Sequence, residues 1–218
     1  MQSFIGTVLQ KEKLEVKNHL TYPKKWARIG VKLIEGGFAM SFVKIDPGKL
    51  HENAIDLIGD QWMLVTAGTR EKINTMTISW GGLGVLFNRP VAYIVLRPQR
   101  YTKIFVDENP TLSLTVFSPE YRNTLSYLGV ASGRNEDKIA KSGLTPAFAG
   151  CACGCGCAET PYFEEAKYVF LCKKLIAQEF KPENFVDRSK IAENYPKGDF
   201  HTVYICEIFD CLQRTGDN

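Results

Sequence analysis

Apolar and polar positions alternate with a period of two over much of the chain, and this pattern predicts strands. The first strong run is Gln61-Trp-Met-Leu-Val-Thr-Ala67, ended by Gly68. A second covers Ile73–Trp80. It places Ile73, Thr75, Thr77 and Ser79 on one side, and Asn74, Met76, Ile78 and Trp80 on the other. Gly81, Gly82 and Gly84 then break the pattern. Val91–Leu96 is a third strand between Pro90 and Pro98, and Thr111–Phe117 is a fourth. Ala166–Phe180 reads as one long strand with Lys173 and Lys174 on opposite faces, and His201–Phe209 is the last. A short helix fits Thr102–Glu108, with Thr102 as its expected N-cap and Pro110 as its stop. Helical patterns also fall at Glu120–Leu128 and Glu136–Lys141, and the polar stretch Pro182–Pro196 has room for one helical turn. Strands dominate, and few are joined by helical crossovers. The fold class expected is mainly β with short helices: an antiparallel barrel with helices at its rim, not a doubly wound parallel sheet.

Composition narrows the class without changing it. The 218 residues are 44% hydrophobic and 23% charged, which suits one domain with a sizeable core. A net charge of +3 is too balanced to argue for nucleic acid or a membrane as partner. No apolar run approaches the about 18 residues needed to span a bilayer. Met1–Gln10 is mildly apolar, but Lys11, Glu12, Lys13 and Glu15 follow at once, so there is no secretory pattern and a cytoplasmic location is expected. Residues 1–39 differ in texture from the rest and end near the Gly36-Gly37 break. They are expected to be an N-terminal extension or an upstream mis-start, with one domain over 40–218.

The cysteines are the unusual feature. Of seven, Cys151, Cys153, Cys155 and Cys157 lie in one short stretch. Alternate residues of an extended segment stand about 7 Å apart, too far to share one metal unless the backbone folds. Gly154 and Gly156 would allow folding. Structural zinc usually takes C-x2-4-C pairs, which this is not. A loop without a fixed role is expected; a soft-metal or thiol redox module is the alternative. No metal ligand set is assigned.

Three constellations carry candidate chemistry. Asn74-Thr-Met-Thr-Ile-Ser-Trp80 combines amide and hydroxyl groups with a flat aromatic, suited to the edge and face of a heteroaromatic ring. A half-exposed strand with a solvated Thr/Ser face is the alternative. Arg97-Pro-Gln-Arg-Tyr-Thr102 runs into a helix start, where free N–H groups and arginines suit a phosphate monoester; an ordinary cap with solvated arginines is the alternative. In Ser132-Gly-Arg-Asn-Glu-Asp-Lys138, Arg134 and Lys138 are placed to reach an anion, unless the loop simply faces water. His201 opens the last strand. There is no nucleophile–base pair and no dinucleotide fingerprint, so no catalytic residue is assigned.

Taken in order, these segments resemble the flavin reductase-like, FMN-binding split-barrel family, and flavoredoxin within it. The matching text is Trp62–Gly68, Asn74-x-Met76-Thr77-x-Ser79-Trp80, Arg97-Pro-Gln-Arg-Tyr-Thr102, Ser132-Gly-Arg-Asn-x-Asp-Lys138 and Gly198-Asp-Phe-His201. The resemblance implies non-covalent FMN in a homodimer of split barrels. It implies that Asn74, Met76, Thr77 and Trp80 lie along the flavin, with Arg100, Tyr101 and Thr102 near its phosphate and Ser79 and Arg97 also among the cofactor-binding residues. Lys138 would reach in from its loop, and His201 would close the pocket. It implies an oxidoreductase passing electrons from NAD(P)H through FMN to a flavin or protein acceptor. An FMN-bound electron carrier without NAD(P)H turnover is the alternative. The cysteine cluster and residues 1–39 have no counterpart in this resemblance.

Overall fold

The computed structural model describes residues 42–150 and 159–216. The expected extension 1–39 and the Cys151–Cys157 cluster lie outside the described residues. Among them are ten strands: β1 (Phe42–Ile45), β2 (Met63–Gly68), β3 (Ile73–Ile78), β4 (Gly81–Leu86), β5 (Arg89–Leu96), β6 (Thr111–Val116), β7 (Pro146–Ala149), β8 (Thr160–Phe163), β9 (Tyr168–Glu179) and β10 (Thr202–Arg214). Five short helices accompany them: α1 (Ala54–Gly59), α2 (Tyr101–Glu108), α3 (Arg122–Val130), α4 (Lys138–Ser142) and α5 (Ser189–Asn194). The antiparallel expectation holds. The main sheet runs β3-β2-β6-β9-β10-β5-β4, with β1 added to β10, while β7 and β8 form a separate pair.

The two ends of that order, β3 and β4, are consecutive in the chain. Ser79 and Trp80 join them, so the sheet returns on itself as a barrel at a point where its edge strands are not paired to one another. β10 is long enough to serve two neighbours on one edge. Thr202–Glu207 pair with β5, and Cys211–Arg214 pair with β1.

The core follows from these layers. Met63, Val65, Met76, Ile78, Ile94, Leu114, Phe170 and Tyr204 fill the barrel. Leu64, Phe117, Leu125, Leu128, Phe163 and Leu171 form a second cluster under α3. β2 contributes to both clusters, which is why all six of its residues are buried. Each fully buried Leu or Phe adds roughly 1.5–3 kcal/mol against leaving it in water. No described helix is long and apolar enough to cross a membrane.

Three local expectations are corrected. Gly81, Gly82 and Gly84 do not end the strand region but build β4, paired with β5 from Gly81↔Ile94 to Leu86↔Arg89. A Cβ on Gly81 would stand 2.3 Å from the Tyr93 carbonyl oxygen, so the tight approach of β4 to β5 requires glycine there. Thr102 is not the cap of α2: Arg100 occupies that position, without a side-chain cap bond. The last two helical patterns shift, to Arg122–Val130 after a 3-10 turn at Pro119–Tyr121, and to Lys138–Ser142 with Asp137 as N-cap.

Candidate functional site

The site begins where α2 lies on β3. Asn74 and Thr102 are both buried. The Asn74 amide donates from Nδ2 to Thr102 Oγ1 at 2.9 Å, and that hydroxyl donates to the Thr75 carbonyl at 3.0 Å. A buried hydroxyl must find partners, and the strand carbonyl outcompetes a capping role. The other end of the Asn74 amide faces Gly133. A Cβ there would stand 2.4 Å from Asn74 Oδ1 and 3.2 Å from Tyr101 Cδ1.

The C-terminus of α3 organises the next group. Arg100 donates from Nη2 to the Gly129 carbonyl at 2.6 Å, and its Nε lies 3.5 Å from Met76 Sδ. Lys138 donates from Nζ to the Leu128 and Ala131 carbonyls at 3.1 and 2.9 Å. Thr77 donates to the Leu125 carbonyl. Two cations thus meet the free carbonyls and partial negative charge of one helix end. Burial lowers the Arg100 pKa. Burial, and then the charge of Arg100, push that of Lys138 down to about 8. Among the described residues, no carboxylate bonds to either cation.

A second group surrounds His201. Arg97 pairs with Asp199 at 2.5 Å, donates to the Asn194 carbonyl at 2.8 Å, and lies over the Tyr195 ring. Tyr195 Oη is 2.8 Å from His201 Nδ1, and the His201 ring stands 5.2 Å from the half-exposed Trp80 ring. Burial, then the positive Arg97, push the His201 pKa down to about 4, against the opposing pull of Asp199. Ser79 is exposed at the end of β3. The Arg97–Arg100 loop joins the two groups: Gln99 Nε2 donates to Asp199 at 2.9 Å, while the Gln99 carbonyl accepts from Arg134 at 3.0 Å.

A cavity of about 660 Å³ opens beside the first group. Of the expected residues, Asn74, Tyr101 and Lys138 line it, as does Arg134, expected with Lys138 to reach an anion. Met76, Thr77, Arg100 and Thr102 support its walls from behind through the bonds just described. Trp80, Arg97 and His201 belong to the second group. The sequence reading missed Lys72 and Phe105 in the lining, and Tyr195 and Gln99 as connectors. Gln99 sat inside a quoted motif; Lys72 and Tyr195 had no local signal.

The fold is an antiparallel split barrel with an amphipathic cavity between its β3 edge and the loop that enters α4. The sequence matches the flavin reductase-like domain over residues 56–218, and the chain belongs to that family. Several solved structures share the fold. One is the FMN-binding domain of a flavin reductases-like enzyme from Shewanella baltica OS155, at 16% identity and TM-score 0.58, covering 82% of this chain and 80% of that one. Flavoredoxin from Methanosarcina acetivorans aligns at 18% identity and TM-score 0.54, and flavoredoxin of Desulfovibrio vulgaris (Miyazaki F) at 24% and 0.51; each alignment covers 71% of this chain and 69% of the other. No curated protein matches the chain significantly.

Proposed function

We propose that this chain binds FMN non-covalently in the cavity beside Asn74, and that it is an oxidoreductase passing electrons from NAD(P)H to a flavin or protein acceptor. The observation that carries this is the Arg100–Lys138 pair. Two desolvated cations repel each other at one helix end, and among the described residues no carboxylate bonds to them. An electron-rich ring edge at the cavity wall relieves that repulsion, and Lys138 lines the cavity. When bound, FMN supplies the hydride acceptance and electron release. The chain's residues do the rest. Asn74, fixed by Thr102, presents its amide to the ring edge. Lys138 stabilises negative charge there in a site of low dielectric. Gly133 keeps that wall open. Trp80 and the neutral His201 offer a flat surface at the barrel split.

We also propose one domain over 40–218, with 1–39 an extension or an upstream mis-start, and a cytoplasmic location. A homodimer is supported by an uncovered apolar row across three strands. Ile176, Ile205 and Tyr93 are in register, with Tyr93 47% and Ile176 38% exposed.

The test is an absorbance spectrum of the purified protein, followed by anaerobic mixing with NADH and NADPH. A flavin spectrum that bleaches with either nucleotide is expected. Protein that stays colourless and takes up no added FMN refutes the reading. A flavin spectrum that neither nucleotide bleaches makes the chain an FMN electron carrier without NAD(P)H turnover.

A further inference from the structure

Of the residues expected at the flavin phosphate, Arg97, Arg100 and Thr102 have donors engaged inside the protein, and Tyr101 alone lines the cavity. Thr102 is 1% exposed, and its hydroxyl is held between Asn74 and Thr75. The Arg100 guanidinium is directed at Gly129 and Met76. A phosphate needs unengaged donors on an open wall. We infer that Lys72 and Arg134, facing the cavity across the Tyr101 ring, bind the phosphate of the flavin and set a preference for the phosphorylated form. This rests on the flavin-binding reading above.

Both side chains line the cavity, although they come from distant parts of the chain. Lys72 lies in the turn between β2 and β3, and Arg134 in the loop before α4. Lys72 Nζ is 5.8 Å from the centres of the Tyr101 and Phe105 rings, and Arg134 Cζ is 4.7 Å from that of Tyr101. The Lys72 carbonyl accepts from the Thr69 N–H at 3.0 Å, but among the described residues its Nζ makes no hydrogen bond or ion pair. Arg134 uses only Nη1, on the Gln99 carbonyl, which leaves the rest of its fork free for an oxyanion. Tyr101 is the first residue of α2, so the positive end of an eight-residue helix borders the same space.

Three carboxylates also line the cavity, and each already has a donor. Glu71 accepts from the Thr69 hydroxyl, Glu136 from Lys141 at 2.5 Å, and Asp137 from the Ala140 N–H at 3.0 Å. The Lys72 ammonium and the remaining donors of the Arg134 fork match a phosphate monoester, which carries about −1.5 to −2 charges at neutral pH. Riboflavin lacks that group and gains nothing from them.

The test is titration of flavin-stripped full-length protein with FMN and with riboflavin, followed by flavin fluorescence. Lys72→Ala and Arg134→Ala are each expected to weaken FMN about ten-fold while leaving riboflavin within about two-fold. Thr102→Val is expected to change both flavins alike. Both charge variants are at exposed positions, and retained riboflavin binding shows that they fold. Unchanged FMN affinity in both variants, or equal loss for the two flavins, overturns the assignment while leaving flavin binding intact. Wild-type protein that binds neither flavin overturns the flavin reading and this inference with it.

Discussion

The Asn74 amide and the Thr102 hydroxyl meet at 2.9 Å in the protein interior, 28 residues apart in sequence. That bond fixes which way the Asn74 side chain points, because Nδ2 is held by α2 and Oδ1 is left towards Gly133. Thr102→Val removes the acceptor and leaves a buried donor without a partner. It is expected to cost about 1–3 kcal/mol. Urea unfolding of wild type and variant measures this, and Thr102→Ser should recover most of the loss.

Gly133→Ala inserts a methyl group 2.4 Å from Asn74 Oδ1 and 3.2 Å from the Tyr101 ring. Either the loop or the amide must move. Flavin uptake is expected to fall at least about ten-fold, with a loss of about 1–3 kcal/mol in stability. Parallel flavin titration and thermal unfolding separate the two effects. A variant with wild-type affinity would show that the loop adjusts freely.

His201 is held near pKa 4 against an ordinary 6.5, chiefly by burial. Between those values the unfolded chain binds the proton and the folded chain does not. The contribution is therefore complete above about pH 6.5 and is lost as the pH falls towards 4. Urea midpoints of wild type and His201→Gln should converge over that window. Parallel curves would mean that His201 is solvated.

Lys138 acts in the same sense at higher pH. Its pKa is held at about 8 against an ordinary 10.5, by burial and then by the charge of Arg100. From pH 8 to 10.5 the unfolded chain carries more protons, so this group adds stability as the pH rises. Buried Cys206, raised to about 12, and buried Cys211, raised well above its ordinary range, both chiefly by burial, act in the other sense above pH 9. The difference between wild type and Lys138→Met isolates the lysine. It should grow in favour of wild type across that range.

The strands with β-branched and aromatic residues were legible because their alternation is local. Met63–Gly68, Ile73–Ile78 and Tyr168–Glu179 differ from expectation only by a residue or two at their ends. β4 was not legible, since three glycines carry no pattern and only pairing with β5 makes a strand of them. The helix starts were misplaced where a polar side chain found a tertiary partner, as Thr102 did on Thr75.

The sequence by itself determined the antiparallel class, the order of the motifs and the residue types that surround the cavity. Period-two alternation and turn residues act over a few positions, so they survive in the linear text. Only the tertiary structure decided which donors are engaged and which are open. Arg100 and Lys138 close the end of α3, Arg97 is held by Asp199, and Lys72 and Arg134 are left facing the cavity. Hydrogen-bond satisfaction is non-local. Arg97, Arg100 and Lys138 take acceptors that the fold brings to them, the farthest 102 positions away in sequence.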